Sequence, residues 1–360
     1  MKITCSRRLF FTLALGLALA GCTLSTSTTP KFAFVVNNQA GAMGSVSSFG
    51  VVPQSGVLSP AGPAINTGPG PTSIAADSHG HFLYVTNSDG TVSGFGIHRS
   101  NGNLFSVTGS PFTVGVSPTG AVLDTKTKFL FVANNGSNNI SAFTVNRNNG
   151  VLTQVPGSPF ATSGAPLHLA IHPKGTFLYV TLGPDGTEVF SIGATGALTA
   201  VSTVAPTSGA DASDIAIAPS GQFAYVADGS TGVSAYKIDS TSGGLTLIAG
   251  SPFFAGSTPI SVAVDPKGRY VYAANENSDD VSAFTIGNDG SLTEIAGSPF
   301  VAGSSPIRVN VDPSGRFVYV ANIDGDNVSY FSIDSKIAGA LLLGGTTNTG
   351  RNPAAVVTVR

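Results

Sequence analysis

Residues 259–300 read PISVAVDPKGRYVYAANENSDDVSAFTIGNDGSLTEIAGSPF and contain four strand-like segments separated by turns. The apolar runs at 259–264 and 269–274 flank Asp-Pro-Lys-Gly, a tight-turn sequence in which proline presets φ and glycine closes the bend. Segment 281–286 alternates small and large side chains at the period of a strand. An Asn-Asp-Gly turn leads to a fourth strand at 291–296, which ends before Pro299 because proline cannot donate to a β-ladder. The stretch therefore predicts a four-stranded antiparallel unit, and its second strand, apolar on both faces, is expected to be buried on both sides.

The same unit recurs along the chain. The aromatic residue that opens its second strand returns at intervals of 46–50 residues, at Phe32, Phe82, Phe129, Phe177, Phe223, Tyr270 and Phe317. Units of this size cannot bury their faces alone and must pack on neighbours. Seven copies in a ring make an all-β, seven-bladed β-propeller with four-stranded antiparallel blades. The first copy lacks an innermost strand and residues 353–359 supply one, so we expect the C-terminal strand to join the N-terminal blade and close the ring. An open solenoid is the alternative.

The N-terminus has the pattern of a targeting segment. Three basic residues precede an apolar run at 9–20 that is short for a membrane-spanning helix. Leu-Ala-Gly-Cys at 19–22 then matches the bacterial lipoprotein signal, in which Cys22 is lipidated and the chain is cut before it; an ordinary secretory signal is the alternative. We therefore predict a lipoprotein signal peptide at 1–21, a flexible Ser/Thr-rich tether at 22–31 and the propeller at 32–360. These segments indicate a protein of the bacterial cell envelope, anchored to a membrane by lipid. Thr23 stands where Asp often retains lipoproteins at the inner membrane, which favours the outer membrane.

Composition agrees with an envelope protein whose stability comes from packing. The cysteines are Cys5, inside the signal, and Cys22, so the mature chain cannot form an internal disulfide. With 360 residues, 42% of them hydrophobic, one ring is a sufficient core, and we expect a monomer. Residues 22–360 hold 14 Lys and Arg against 19 Asp and Glu, a formal net charge of −5. From this balance we expect no basic patch, no nucleic-acid partner and no electrostatic membrane binding beyond the anchor.

Motifs of several enzyme classes are missing from the sequence. It has no Gly-x-Ser-x-Gly, GxxxxGK[ST], GxGxxG, CxxC or HExxH, so we predict neither a cofactor nor a metal site. Asp324, Asp326 and Asn327 could suggest calcium, but the later bidentate Glu of an EF-hand loop is missing and a turn is favoured. His79 and His81 occupy the turn where other copies read DPKG or DPSG, so a turn role is favoured over metal ligation.

The copies differ most where the innermost strands begin. In a propeller, the loops entering these strands and the loops between second and third strands lie on one face around the central channel, here called the channel face. Two residues after the proline or alanine that opens each innermost strand, the copies carry Ser73, Gly120, His168, Asp214, Ser261, Arg308 and Ala355. The ionisable side chains of His168, Asp214 and Arg308, together with Glu276 in the blade-six loop, are candidates for a ligand-binding site. The alternative is that they solvate the rim or pair with one another, as Asp214 with Arg308.

The recurrent PxGxFxYVxN followed by VSxFxI resembles the lactonase-type propellers of the 6-phosphogluconolactonase family, and residues 84–87 spell the YVTN signature of related surface repeats. The resemblance covers nearly all of residues 32–360. It implies the propeller fold and a lactone hydrolase whose site contains a G-P-R-H segment, an H-P-x-G turn and an N-E-L loop. Here His168 of the first segment and the turn at 172–175 are retained, whereas Leu167 replaces the arginine and residues 182–184 lack the glutamate. Asp-Gly-Ser at 228–230 replaces the Asn-Arg-Gly that often follows.

Two functions are considered on this basis, and the sequence favours the first, a binding module, with a hydrolase as the alternative. The missing Arg and Glu favour a non-catalytic envelope propeller that binds a carbohydrate, another small molecule or an envelope protein on its channel face. Retained His168 favours a hydrolase of an unphosphorylated sugar lactone, in which His168 and Asp214 activate water and Arg308 stabilises the oxyanion. The repeated Gly-Ser-Pro-Phe loops either fill gaps between blades with their phenylalanines, which we favour, or expose them as an apolar rim.

Overall fold

The structure is a computed structural model that describes residues 31–39, 43–77, 79–206, 210–334 and 336–360. The predicted signal peptide, Cys22 and all but the last residue of the predicted tether lie outside the described residues. Lys31 is already part of the fold, since its carbonyl accepts a hydrogen bond from the Val51 N–H at 2.9 Å. Within the described residues, no helix has the length and apolar character that crossing a membrane requires.

The described residues form 32 strands and one 3-10 turn, Asn135–Ser137. In chain order the strands are β1 (Phe32–Asn37), β2 (Met43–Val51), β3 (Leu58–Pro60), β4 (Ile65–Pro69), β5 (Pro71–Ala76), β6 (Phe82–Asn87), β7 (Thr91–Ile97), β8 (Leu104–Ser106), β9 (Phe112–Thr113), β10 (Pro118–Leu123), β11 (Phe129–Asn134), β12 (Asn139–Val145), β13 (Leu152–Gln154), β14 (Phe160–Ala161), β15 (Leu169–Ile171), β16 (Phe177–Thr181), β17 (Thr187–Ile192), β18 (Leu198–Val204), β19 (Ala212–Ile217), β20 (Phe223–Asp228), β21 (Gly232–Ile238), β22 (Leu245–Leu247), β23 (Pro259–Val264), β24 (Tyr270–Asn275), β25 (Asp280–Ile286), β26 (Leu292–Glu294), β27 (Phe300–Val301), β28 (Pro306–Val311), β29 (Phe317–Asn322), β30 (Asn327–Ile333), β31 (Leu341–Asn348) and β32 (Pro353–Val359).

These strands make seven antiparallel sheets, which are the seven blades of a propeller. Blades two to seven each place four strands outward in chain order, from β5-β6-β7-β8 in blade two to β28-β29-β30-β31 in blade seven. Blade one has the order β32-β1-β2-β3, because the C-terminal strand pairs with β1 and sets Val359 opposite Phe32. The predicted seven-bladed ring and its closure by the C-terminal strand are confirmed.

The outermost strand of blade six is shorter than predicted and comes in two pieces, whereas β18 of blade four and β31 of blade seven are continuous. In blade six, β26 covers three residues, and β27 then pairs with the other end of the same neighbour, β25. Between the pieces, the Ser298 hydroxyl takes the place of a strand by accepting the Ala283 N–H at 3.0 Å. Phe300 is half-buried and packs against the apolar cluster between blades six and seven. The phenylalanines of the other Gly-Ser-Pro-Phe loops, Phe112, Phe160 and Phe253, pack in the same way, so these loops fill gaps between blades.

Adjacent blades are joined by apolar clusters, one for each of the seven interfaces. A tyrosine on the second strand adds a hydrogen bond to the next blade, as when the buried Tyr272 hydroxyl donates to the Gly339 carbonyl at 3.0 Å. Gly339 has φ +92°, and a Cβ there would lie 2.6 Å from the Tyr270 ring, so the turn requires glycine. The same hydrogen bond is made by Tyr84, Tyr179, Tyr225 and Tyr319. The repeat thus stabilises each interface between blades rather than a single central core.

In blades two, three, six and seven, the turn between first and second strands is closed by a buried aspartate. In blade six, Asp265 is fully buried and its Oδ1 accepts the N–H groups of Arg269 and Tyr270. In blade two, Asp77 accepts the N–H groups of His81 and Phe82 in the same way. The segment with His79 and His81 therefore forms this turn, as predicted.

The two faces of the ring carry opposite charge. The face opposite the channel face contains the turns from first to second and from third to fourth strands, and we call it the turn face. It carries twelve of the fourteen Lys and Arg residues after position 30, namely Lys31, Arg99, Lys126, Lys128, Arg147, Lys174, Lys237, Lys267, Arg269, Arg316, Lys336 and Arg360. Among the described residues, the channel face carries only Arg308 and Arg351. The expectation that no basic patch exists is wrong, because net charge does not record how a fold distributes charges between its faces.

Candidate functional site

The site lies where the innermost strands enter the ring. Five of these strands begin with a register shift, for example between Pro306 and Arg308 of β28, so that one residue is left out of the ladder. Such a β-bulge bends the strand and redirects its side chains. In β32 a shift at the partner residues Val36 and Asn37 leaves Ala354 without an opposite residue. The strands therefore present an unpaired residue toward the axis before they pair with their neighbours.

The six residues left out of these ladders, together with Leu167 of blade four, line a cavity of about 360 Å³ at the mouth of the channel. One residue comes from each blade: Thr72, Thr119, Leu167, Ser213, Ile260, Ile307 and Ala354. His168 and Arg308 also line the cavity. The sequence comparison selected the position after this one, which is the residue that re-enters the ladder. The lining ring could have been found by shifting the comparison by one residue, but only if the bulge had been foreseen.

The structure brings together His168, Asp214 and Arg308 from blades four, five and seven. Nη1 of Arg308 lies 3.0 Å from Oδ2 of Asp214, and Nη2 lies 2.8 Å from Nε2 of His168. The Arg308 and Asp214 side chains are 18% and 11% exposed, so both charges are largely removed from water. The guanidinium is thus held between a carboxylate and an imidazole, and the pairing of Asp214 with Arg308 that we considered from sequence is present.

Asp214 is fully engaged by the protein. Its Oδ2 accepts the Ser261 hydroxyl at 2.9 Å and the Val262 N–H at 3.1 Å in addition to Arg308, and its Oδ1 accepts the N–H of Ile215. Burial would raise the pKa of Asp214, but the Arg308 charge and these hydrogen bonds hold that pKa below its usual value. A carboxylate with this many donors is a poor proton acceptor. Asp214 positions Arg308, and Ser261, which sequence analysis passed over, belongs to the same network.

His168 is neutral in this arrangement. Arginine only donates, so Nε2 of His168 must be the acceptor and Nδ1 carries the proton. Burial and the adjacent Arg308 charge lower the pKa of His168 to about 4. The ring lies against Gly120 of blade three, where a Cβ would be 3.2 Å from Nδ1 and 2.7 Å from the Leu167 carbonyl oxygen. Glycine at this position leaves the space that the imidazole occupies.

Arg308 keeps hydrogen-bonding capacity for a ligand. A guanidinium has five N–H donors, and two of them bind Asp214 and His168. The described residues provide no acceptor for the other three. An arginine that is fixed in place and partly desolvated is suited to bind a carbonyl or carboxylate oxygen in the cavity.

The other predicted site residues lie elsewhere. Glu276 is half-exposed in the loop between β24 and β25, does not line the cavity, and makes no side-chain hydrogen bond to the cluster of His168, Asp214 and Arg308. Asp324 and Asp326 accept hydrogen bonds from the Ser305 hydroxyl and from the N–H of Asn352, so these carboxylates join neighbouring loops of the channel face. In the part of the chain that the structure describes, no three His, Cys, Asp or Glu residues are grouped as metal ligands.

Comparison with known proteins adds to this geometry. A family model described as "Lactonase, 7-bladed beta-propeller" matches residues 22–309 and 262–358. No functionally curated protein matches the chain. A Bacteroides uniformis protein provisionally named a 6-phosphogluconolactonase superposes with a TM-score of 0.80 at 19% identity, over 92% of this chain and 100% of its own. The periplasmic gluconolactonase PpgL of Pseudomonas aeruginosa gives 0.77 at 19% identity, over 92% and 99%. A second provisionally named 6-phosphogluconolactonase, from Bacteroides fragilis, gives 0.76 at 23% identity, over 93% and 99%. At these identities the likeness to solved structures concerns the fold.

Proposed function

The chain belongs to the lactonase family of seven-bladed β-propellers, and on that premise we propose that it hydrolyses the lactone of an unphosphorylated sugar acid at the channel mouth. The observation that carries the proposal is the Arg308 guanidinium, which lines the cavity with three N–H donors to spare and lies 2.8 Å from a neutral imidazole. A cavity of about 360 Å³ is of the size that holds a small molecule. Arg308 is the one cation among the described lining residues, which suits a ligand without a phosphate group.

The residues suggest a direct attack by water. Arg308 donates to the lactone carbonyl oxygen and stabilises the negative charge that develops there. Arg308 binds the substrate through its spare N–H groups, and when the hydrogen bond from its Nη2 opens, Nε2 of His168 accepts a proton from the attacking water. The new C–O bond forms a tetrahedral oxyanion, the bond to the ring oxygen breaks, and the proton passes from His168 to the leaving alkoxide. The product is the open-chain hydroxy acid.

Binding without turnover is the second candidate. It is favoured by the low pKa of His168, about 4, since such a group is a weak base at neutral pH, and by the engagement of Asp214 with four donors. In that case the site holds a carboxylate or a carbonyl oxygen on Arg308. The ligand is then a carbohydrate acid or an envelope protein segment with a carboxylate.

The test is hydrolysis of a panel of aldonolactones by a chain that begins at residue 23. His168→Ala should abolish saturable turnover, whereas His98→Ala should retain it, because His98 is an exposed histidine of the turn face. Background rates with every lactone would overturn the hydrolase proposal. Calorimetry with gluconate then decides on binding. Heat of gluconate binding that is lost in Arg308→Met would support a binding module. If the parent protein gives no heat with gluconate, the proposal that the cavity binds such a ligand is refuted.

Anchoring remains a proposal as well. A lipid on Cys22 and an outer-membrane location follow from the residues at 19–23. Palmitate labelling that is lost in Cys22→Ser, with the protein then released from the membrane fraction, would support this location. Labelling that survives the substitution would exclude it.

A further inference from the structure

The turn face is basic because its acidic side chains are withdrawn from the surface. Four aspartates of this face, Asp77, Asp124, Asp265 and Asp312, are buried under the turns that they close. The carboxylates left at the surface are Asp239, Asp289 and Asp334. Eleven of the twelve basic residues are exposed, and Lys31 is the one that is not. Counted with the buried carboxylates, seven aspartates stand against twelve Lys and Arg residues on this face, an excess of five positive charges in a protein whose net charge is negative.

Several of these cations are held without being neutralised. The ammonium of Lys128 donates to the Ala194 carbonyl at 2.7 Å, and the guanidinium of Arg360 donates to the Pro313 carbonyl at 2.7 Å. Arg316 donates to the Pro53 carbonyl at 3.0 Å and lies over the Phe317 ring. A carbonyl fixes the position of a cation and leaves its full charge in place. Among the described basic side chains of this face, only Lys31 and Arg269 lie in ion pairs with carboxylates.

The channel face has the opposite character. Eight of its acidic side chains are exposed or half-exposed: Asp89, Asp185, Asp211, Glu276, Asp279, Asp280, Asp324 and Asp326. Arg351 is its one exposed cation among the described residues. An anionic surface would thus attract one face of the ring and repel the other, which fixes an orientation as well as an affinity.

The chain enters the ring on the basic face. Lys31, which precedes β1, lies on the turn face, and its ammonium group is 3.2 Å from Asp312. Cys22 is nine residues before Lys31, and nine extended residues span at most about 30 Å. A random coil of nine residues has an r.m.s. end-to-end distance of roughly 15–18 Å, about two Debye lengths at physiological salt. A lipid at Cys22 would thus hold the turn face near the bilayer, and the shorter conformations of such a coil would bring it within one Debye length, where screening is weak.

We propose that the turn face docks on an anionic phospholipid surface and so orients the ring with its channel mouth away from the membrane. The docking rests on the charge of the folded ring, independently of the lipid and of the proposed hydrolysis. It is the interaction that net charge alone argued against.

The test compares two variants of equal charge. The chain from residue 23 keeps every strand of the ring and is used without lipid. The turn-face variant combines Lys126→Gln, Lys174→Gln and Lys267→Gln. These three exposed side chains occupy the same position of three turns, and each loses its charge. The channel-face variant combines Gln39→Glu, Asn138→Asp and Asn277→Asp. These three exposed residues each gain a negative charge, so the net charge changes by the same amount as in the turn-face variant. The measurement is co-sedimentation with vesicles of 30% phosphatidylglycerol in phosphatidylcholine, at low and high salt.

The parent protein should bind the anionic vesicles at low salt, dissociate from them at high salt, and not bind vesicles of pure phosphatidylcholine. A basic residue near such a surface contributes about fivefold in affinity, so the turn-face variant should lose roughly a hundredfold. The channel-face variant should stay within about threefold of the parent. Equal loss in both variants, or no binding by the parent, would overturn the proposal. Duplex DNA that binds as tightly as the vesicles would also overturn it, since the face would then be a general polyanion site.

Orientation has its own readout, because the protein contains no tryptophan. Ser240→Trp places a reporter in an exposed turn of the turn face, and Phe254→Trp places one on the channel face, where Phe254 is 86% exposed. Energy transfer to a dansyl-labelled lipid should be strong from the first and weak from the second. Equal transfer from both positions would refute the orientation.

Discussion

Replacing Asp214 by asparagine tests whether charge holds the cluster at the channel mouth. Oδ2 of Asp214 accepts three donors, from Ser261, Val262 and Arg308, and Oδ1 accepts the Ile215 N–H. An asparagine has one side-chain oxygen, so in either orientation its NH₂ group faces at least one of these donors. The substitution also leaves the Arg308 guanidinium without its counter-ion.

The expected cost follows from burial. Removing one partner of a buried ion pair typically destabilises by about 3–5 kcal/mol. The Asp214 and Arg308 side chains are 11% and 18% exposed, so water relieves part of that penalty. We expect Asp214→Asn to lower the free energy of unfolding by about 2–4 kcal/mol, which corresponds to a drop in Tm of roughly 3–6 °C for a ring of this size.

Urea denaturation and calorimetry of three variants check this value. Asp214→Asn and Arg308→Met should each destabilise, and the double variant should be more stable than Asp214→Asn alone, because it removes the unpaired charge. Asp211→Asn is the matched control, since this carboxylate is exposed on the same face, and it should change stability by less than about 0.5 kcal/mol. The reasoning is refuted if Asp214→Asn unfolds like the parent, or if the two single costs simply add in the double variant.

Three further predictions concern the ring and the imidazole. Tyr272→Phe should cost about 1–2 kcal/mol in urea denaturation, because the Gly339 carbonyl loses its donor; an unchanged midpoint would show that this bond contributes nothing. Gly120→Ala should reduce ligand affinity or lactone turnover by about 10- to 100-fold, because the new Cβ would press on the Leu167 carbonyl and the His168 ring; activity at the parent level would contradict the geometry. The pKa of His168 is about 4 in the native state against 6.5 for the ordinary group, so the unfolded chain binds more protons between these two values. The free energy of unfolding should therefore rise as the pH increases from 4 to 6.5, by at most about 3 kcal/mol, and then level off. Urea denaturation across this range, with His168→Gln as the variant that should flatten the rise, measures the effect.

Much of the fold could be predicted because each repeat carries its own local signals. The Asp-Pro-Lys-Gly turn and the apolar run after it placed β24 within one residue of its observed start, and residues 353–359 matched β32. The outermost strand was predicted too long, since the sequence does not show that a serine hydroxyl interrupts the ladder at Ser298. Local propensity describes a segment by itself, whereas this interruption depends on the neighbouring strand.

The candidate site was predicted in part. His168, Asp214 and Arg308 stood out as ionisable groups in a position that favours small residues, and they lie together because equivalent positions of a ring converge on its axis. Glu276 did not join them, since a loop residue is not bound by the register of the strands. The role of Asp214 as a support for Arg308 required the positions of Ser261 and Val262, which come from a different blade.

By itself, the sequence determined the number of blades, the closure of the ring and the identity of three residues at the channel mouth. The period of the repeat gives the number of copies, and the positions at which a copy departs from the others identify the unusual residues. Only the tertiary structure decided which side chains line the cavity and which face of the ring is basic. In six of the seven blades a bulge turns the neighbour of the selected residue toward the axis, and the antiparallel order of the strands sends nearly all the lysines and arginines to one side. Both outcomes depend on how distant segments are placed relative to one another, and neither a residue count nor a local pattern contains that information.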